Sequence, residues 1–321
     1  GACMRVWQQS MIFLAKNNAL KNFMQNRASV SELATRFVGG RNANDVLETA
    51  IYLKSRGIKV SFFYLGEYVT DPEKIDKTLT ELNHVCGLLK KTDLDIHISF
   101  DPTQAGYLIS EEVCTDNALY IADAVKSASV SRQNDSTDFL MIDMEDSSVT
   151  DATLRIYNRL VEKEYPAAVT LQAYLYRTQR DLLQIIAKGG KVRLVKGAMA
   201  EGREKAFTDK KLIDQNYMKL VNSMLSSEAK KNKFYPIFAT HDEKMIYYIL
   251  EKADKNNWQK GEYEFEMLYG VRKELQNQLV NNGEQLRLYL PFGIDWWPYA
   301  VRRVGESSKN MNFLIRSLIG G

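Results

Sequence analysis

Nowhere in the 321 residues do two glycines stand at positions i and i+2. The glycine-rich fingerprint that wraps a dinucleotide pyrophosphate is therefore absent, and no Walker-type phosphate loop occurs. Any nucleotide must be held by other means. Cysteine is scarce: Cys3, Cys86 and Cys114 form an odd set without the spacing of a disulfide framework or a zinc site, which suits a reducing compartment and a cytoplasmic protein. Of the three histidines, His84 stands two residues from Cys86 on a helical stretch, where i and i+2 do not face together, so no metal is expected. No apolar run is long enough to cross a bilayer, which argues against stable membrane insertion. The net charge of +3, with Lys and Arg dispersed, gives no case for nucleic acid, although a local anion pocket remains open. The opening "GACMRVW" lacks the basic and apolar pattern of a signal peptide, and residues 1–3 read as a cloning remnant before Met4.

What is present is regular. Eight β-rich runs recur at wide spacing: "VSFFYLG" (60–66), "LDIHISF" (94–100), "DFLMIDM" (138–144), "AAVTLQAY" (167–174), "VRLVKGA" (192–198), "YPIFATH" (235–241), "YEFEML" (263–268) and "LRLYLPF" (286–292). Most intervals carry helical patterns. In "DPEKIDKTLTELNHVCGLLKK" (71–91), Asp71 is placed to cap, Pro72 to begin the helix, and Ile75, Leu79, Leu82, Cys86 and Leu89 share one face. Residues 208–231 read as one long helix, and Asp242 is placed to cap the next. Strands alternating with helices imply parallel pairing, and eight units suggest an α/β fold of the closed (β/α)8 TIM-like type. Residues 1–35 are read as an N-terminal helical extension capping the barrel bottom or side, with "TRFVGG" (35–40) a β-like lead-in. Residues 36–321 are read as the barrel domain.

In such a barrel the loops after the strands form the active face. Glu67, Asp101, Asp143, Glu145, Gln172, Tyr174, Lys196 and His241 all stand at strand C-terminal ends. Any one of them could merely cap a helix; the recurrence is the signal. His97, Ser99 and Asp101 share one face of their strand, so a polar barrel axis is expected there if that face points inward.

Arg193 and Lys196 lie in one run, followed by Gly197 and Ala198, small residues that let a flat ligand or phosphate approach the backbone. Beside His241 such a basic strand end could bind pyrophosphate; surface ion pairs are the plainer reading. Near the C-terminus, "RLYLPFGIDWWPYAVRRVGE" (287–306) runs from a strand through Pro, Gly and two Trp into a helix bearing Arg302 and Arg303. The two arginines are about 100° apart on a helix, so both reach one ligand only over the seam between them. The bland alternative pairs Arg302 with Glu306 and leaves Arg303 in solvent.

Taken with "FYLGE" (63–67), "PTQAG" (102–106), "IDMEDS" (142–147), "TLQAYLYRT" (170–178), "FATHD" (238–242) and "FEMLYGVR" (265–272), these motifs resemble, in order, those of the monofunctional bacterial proline dehydrogenases. The resemblance covers nearly everything after residue 35. It implies a (β/α)8 flavoenzyme of proline catabolism, with FAD bound noncovalently over the barrel mouth and proline oxidised to 1-pyrroline-5-carboxylate. It also implies that Gln172, Arg193, Lys196, Thr240, His241 and Glu306 contact FAD, Arg193 near the flavin N5, with Gly197 and Ala198 beside them. Arg302 and Arg303 would clamp the carboxylate of a small amino-acid substrate while the final helix closes over it. Asp143 and Tyr289 match retained positions. Electrons would pass to quinone or another acceptor, implying transient contact with the inner face of the membrane.

Two positions depart from the family pattern. Asp101 stands where the family usually carries a lysine that serves the substrate carboxylate, and Met199 where it usually carries tyrosine. An anion there, if ionised, would repel a bound carboxylate by several kcal/mol in a low-dielectric pocket. An altered substrate is therefore expected, either a proline relative or a larger amino acid with a cationic or hydrogen-bonding group for Asp101. Two other readings stay open on the sequence: a flavin-binding homologue that has lost turnover and serves as sensor or partner subunit, and a barrel hydrolase using Asp143 and Glu145 as acid and base.

Overall fold

The computed structural model describes residues 17–25, 32, 35–130 and 137–306. In chain order these form α1 (Asn18–Gln25), α2 (Ala43–Ser55), β1 (Lys59–Tyr64), α3 (Pro72–Leu89), β2 (His97–Phe100), α4 (Glu111–Ser129), β3 (Phe139–Ile142), α5 (Thr150–Glu162), β4 (Ala167–Gln172) and α6 (Thr178–Ala187). There follow β5 (Lys191–Val195), α7 (Lys210–Met224), α8 (Ser227–Lys231), β6 (Tyr235–Ala239), α9 (Glu243–Lys255), β7 (Glu264–Leu268), α10 (Lys273–Asn281), β8 (Leu286–Phe292) and α11 (Trp297–Gly305). The eight strands pair in sequence order, all parallel, and β1 closes on β8 with Ser61 opposite Tyr289 and Phe63 opposite Pro291. Each of the eight expected strands is present, and the architecture is a (β/α)8 barrel.

The outward faces of the strands carry the main core. Phe62, Ile98, Leu140, Val169, Leu194, Phe238, Phe265 and Leu288 meet Leu82, Ile121, Ile156, Leu182 and Leu220 from the surrounding helices. The inward faces are mixed. Phe139, Met141, Ala168 and Ile237 form a small apolar plug, and polar and charged side chains stand beside it, among them Ser61, His97, Ser99, Thr170, Arg193, Glu264, Glu266 and Arg287. Ser61 and Ser99 hydroxyls meet at 2.6 Å, with His97 Nδ1 2.7 Å from the Ser61 hydroxyl. The face shared by His97 and Ser99 therefore does point inward, and the axis there is polar.

Helix boundaries follow local chemistry. Asp71 accepts from the Glu73 N–H ahead of Pro72, and Asp242 from that of Lys244. The single helix expected over 208–231 is instead two. α7 ends at Met224 with Leu225 as its C-cap, and the Ser226 side chain accepts from the Ala229 N–H to start α8. A serine inside an apparently continuous helical pattern offers the backbone a new start.

The β-like lead-in is also different. Residues 35–37 are helical, and only Gly40 makes a bridge, to Phe292. Most of the proposed extension, Cys3 included, lies outside the described residues. Within the described part, Lys21 of α1 pairs with Asp295 at 3.2 Å, in the loop between β8 and α11 on the mouth side.

α11 covers one side of that mouth. Trp296, Trp297, Tyr299, Ala300, Val301 and Val304 are buried against Phe37, Val38, Phe63 and Leu65. The two tryptophans are thus packing residues of the rim. Among the described residues no helix is long and apolar enough to cross a membrane.

Candidate active site

The strand ends converge on one polar cluster. At its floor, Arg193 on β5 is buried and directs its guanidinium across the barrel. Its Nε and Nη2 donate to Glu266 at 2.8 and 2.6 Å, Nη2 also to Ser99 at 3.0 Å, and Nη1 to Thr170 at 3.3 Å and to Asp143. Every face of the guanidinium thus has a protein acceptor. The surface ion pair considered for this residue is not what forms. Burial alone would lower the Arg193 pKa, but the charges of Glu266 and Asp143 raise it far above the ordinary value.

Asp143, just past β3, takes a second donor on its other oxygen, the Tyr289 hydroxyl at 2.7 Å. The Tyr289 ring lies 5.5 Å from the Arg193 guanidinium and 5.2 Å from the ring of Phe63. Asp101, just past β2, reaches the same carboxylate as a hydrogen-bond partner. Asp101 is surrounded by acids: burial, then the charges of Glu145, Asp143 and Glu67, push its pKa well above the ordinary carboxylate range, against the opposing charge of Arg302.

Glu145 faces another way. Its oxygens accept from the Thr103 N–H and hydroxyl at 2.9 and 2.5 Å, tying the loop after β2 to that after β3. Burial raises its pKa to about 7 despite those bonds. Asp143 and Glu145 therefore do not face one another across a bond to be hydrolysed.

On α11, Arg302 is gripped at two points by Glu67, the second at 2.8 Å. Arg303 pairs with Glu306 at 3.0 Å. Helical spacing alone allows Arg302 with Glu306 and a solvated Arg303; in the fold Glu306 instead pairs with Arg303, whose side chain is only 16% exposed. Its guanidinium lies over the Tyr299 ring, 5.2 Å from the centroid. The buried Tyr299 hydroxyl, within the fields of both arginines, has no hydrogen-bond partner, and neither has Arg303 Nε.

The opposite side of the mouth is formed by β4 to β6. Gln172 ends β4 with its amide N–H on the Glu145 carbonyl at 3.0 Å, while its buried Oε1 has no partner. Lys196 lies one residue past β5 and donates to Asp214 at 2.5 Å and Asp242 at 2.7 Å. Gly197 has φ +112, and a β-carbon there would run into the Tyr174 ring. Ala198 and Met199 are exposed on the loop that follows, Met199 outside the hydrogen-bonded cluster.

Past β6, the Thr240 hydroxyl accepts from the Asp242 N–H at 3.1 Å, and His241 Nε2 accepts from the Leu268 N–H at 3.0 Å. Burial, aided by Arg303 and Arg272, lowers the His241 pKa to about 4. Its imidazole is neutral, with the proton on Nδ1. His84 and Cys86 are far from use together, one exposed and the other buried.

Glu266, Thr103 and Tyr299 belong to this site and did not stand out in the sequence. Pleat parity marks the first: in "YEFEML", Glu264 and Glu266 alternate with Tyr263, Phe265 and Met267, which places both acids on the face opposite the outer core. No local signal marks the other two.

A family model described as proline dehydrogenase matches residues 46–316. Proline dehydrogenase 2 of Bacillus subtilis (strain 168) is 31% identical over 307 residues, covering 96% of this chain and 97% of the relative. The proline dehydrogenase of Deinococcus radiodurans is 32% identical over 304 residues, covering 92% and 93%. Among solved structures, proline utilization A from Bdellovibrio bacteriovorus superposes with a TM-score of 0.78 at 21% identity, over 95% of this chain and 37% of that larger one. That likeness supports the barrel alone. The hydrolase alternative falls with these matches: the chain belongs to the proline dehydrogenase family and is an oxidoreductase acting on CH–NH donors.

Proposed function

We propose that the protein is an FAD-dependent dehydrogenase that removes hydride from the carbon beside the amine nitrogen of L-proline or a closely related amino acid, giving an imine. For proline that imine is 1-pyrroline-5-carboxylate. The observation that carries the reading is Gln172 Oε1, buried at the mouth without a partner. A buried amide oxygen left without a donor is costly, and a flavin ring edge, which bears an N–H group, is the kind of ligand that would satisfy it. Beside it, Gly197 leaves the Tyr174 ring uncovered by any side chain of its own, and Lys196, Thr240 and His241 supply cationic and polar groups for the remainder of the cofactor. The residues present therefore fit FAD. When bound, it would supply the two-electron acceptor for the substrate hydride.

The chain's own part is binding and protonation control. Arg302 and Arg303 present guanidinium groups suited to a carboxylate, and a substrate carboxylate exchanges with Glu67 on Arg302 as one anion for another. Trp296, Trp297 and Val301 pack α11 against the barrel rim and keep water from that side. The amine has to be neutral as hydride leaves, so that its lone pair stabilises the developing iminium. Positive Arg302 and Arg303 beside the substrate favour that neutral form. Quinone or another acceptor then takes the electrons. The setting we propose is cytoplasmic with transient membrane contact, and the division into an extension (1–35) and a barrel domain (36–321) belongs to the same reading.

The test is anaerobic bleaching of the flavin visible band in the purified protein by L-proline, hydroxyproline, pipecolate and cationic amino acids. Bleaching by a cyclic secondary amino acid is the expected result. Protein that takes up no FAD would end the cofactor assignment. Yellow protein that none of these amines reduces would favour the noncatalytic homologue instead.

A further inference from the structure

The Asp101 backbone is pinned. Its N–H donates to Gln104 Oε1 at 3.3 Å, and its carbonyl accepts from the N–H groups of Gln104 and Ala105 at 3.0 and 3.2 Å. The side chain consequently has a fixed company. It faces Glu67 and Tyr68 from the loop after β1, Asp143 and Glu145 from the end of β3, Tyr289 from β8 and Arg302 from α11. No cation in this group is free for it. Arg302 is held at two points by Glu67, and Arg193, behind Asp143, is held by Glu266 and Asp143.

The two aspartates are unequal. Asp143 already accepts from a guanidinium and a phenol, one on each oxygen. These donors stabilise its charge. Asp101 has no comparable donor, because Arg302 is already held by Glu67 and the Tyr289 hydroxyl by Asp143, and two touching carboxyl groups without a cation between them cannot both ionise. The proton they share therefore stays on Asp101. A second feature of the same space points to a ligand: the Tyr299 hydroxyl is 94% buried by residue, has no partner, and lies within the fields of Arg303, Glu306, Arg302 and Asp143.

We propose that Asp101 determines substrate specificity as a neutral carboxylic acid: the Asp101–Asp143 pair holds one proton in the working site, and this neutral state admits the carboxylate of a zwitterionic amino acid to Arg302. The inference rests on the amino-acid dehydrogenase reading of the site. It revises the expectation drawn from sequence, where an ionised Asp101 was set against the substrate carboxylate. A neutral Asp101 imposes no such repulsion, so free cyclic amino acids are its substrates, and a cationic group on the substrate is not required. Loss of the shared proton leaves two adjacent anions beside Arg302 and weakens carboxylate binding.

The test uses tetrahydro-2-furoate, which has the ring and carboxylate of proline but no amine to titrate or oxidise. Its dissociation constant is measured by calorimetry on the flavin-loaded protein as pH is raised across the whole range in which the protein stays folded, because burial and like charge move the ionisation of Asp101 upward. The wild type is expected to bind less well with rising pH, approaching about tenfold per pH unit once the proton is lost. That slope is expected to vanish in Asp101→Asn, which cannot lose a proton there. A flat wild-type profile overturns the proposal, as does a slope that persists in Asp101→Asn. Tighter binding of the dication 2-(aminomethyl)pyrrolidine than of tetrahydro-2-furoate at the acid end would show an ionised Asp101 and overturn it as well. The wild-type profile needs no variant to fold. Failure of the parent reading is separate: it appears as a flavin that no amino acid reduces.

Discussion

Tyr289 donates its hydroxyl hydrogen to Asp143 at 2.7 Å while its ring stacks on Phe63 with centroids 5.2 Å apart. The two contacts join the barrel floor to its lid, because Phe63 also packs in the cluster that carries α11. One side chain therefore holds the orientation of the central carboxylate and part of the seat for α11.

Tyr289→Phe keeps the stack and deletes only the hydrogen bond. A hydrogen bond to a buried carboxylate contributes about 1.5–3 kcal/mol. The variant is expected to fold, to unfold at lower urea by that order, and to retain its flavin. Flavin reduction by substrate is expected to slow by roughly tenfold or more, as about 1.4 kcal/mol of lost positioning energy corresponds to a factor of ten. Stopped-flow reduction at saturating substrate checks this. An unchanged rate with lowered stability would make the bond purely structural.

The barrel was legible because each strand is short and apolar on its outward face, and several are followed by a capped helix, as with Asp71–Pro72 ahead of α3 and Asp242 ahead of α9. Polar residues at strand ends follow from the same periodicity, which places Asp101, Asp143, Gln172, Lys196 and His241 at the mouth. What the periodicity does not carry is partner choice. Arg302 meets Glu67 across 235 positions of chain, and Arg193 meets Glu266 across 73; only barrel closure brings them together. The protonation of Asp101 was hidden for the same reason. Its neighbours come from four other parts of the fold, so the residue alone suggests an anion and the assembled site a neutral acid.

Gly197→Ala tests the cofactor side of the mouth. With φ at +112, residue 197 occupies backbone space that an alanine adopts only under strain, and the new methyl would enter the Tyr174 ring. Tyr174 has little room to yield: it is buried, its N–H donates to the Lys196 carbonyl at 2.9 Å, and its own carbonyl accepts from Phe207 at 2.8 Å. The strain is about 1–3 kcal/mol. It falls on the turn between Lys196 and Ala198, so flavin content per protein after purification is expected to drop with only a modest fall in thermal midpoint. Full flavin occupancy in this variant would remove Gly197 from the binding surface.

At the other pole of the barrel a second buried cation, Arg287, donates to Glu264 at 2.9 Å and to Asp95 at 2.9 Å, and Asp95 also accepts from Thr137 at 2.6 Å. Burial would raise the Asp95 pKa, but the charges of Arg287 and Lys59 with the Thr137 and Arg287 hydrogen bonds hold it well below the ordinary range. A carboxylate depressed on folding stabilises the native state at pH above its unfolded value of about 3.9 and loses that contribution as pH falls toward the folded value. Removing one partner of a buried ion pair costs about 3–5 kcal/mol, and Glu264 remains to hold Arg287, so Asp95→Asn is expected at or below the lower end near neutrality. The gap in urea midpoint between wild type and Asp95→Asn should be widest near pH 7 and shrink below about pH 4 as the wild-type carboxylate gains its proton. A gap that stays constant through that acid window would show that Asp95 supports Arg287 through shape and neutral hydrogen bonding, with its charge contributing nothing.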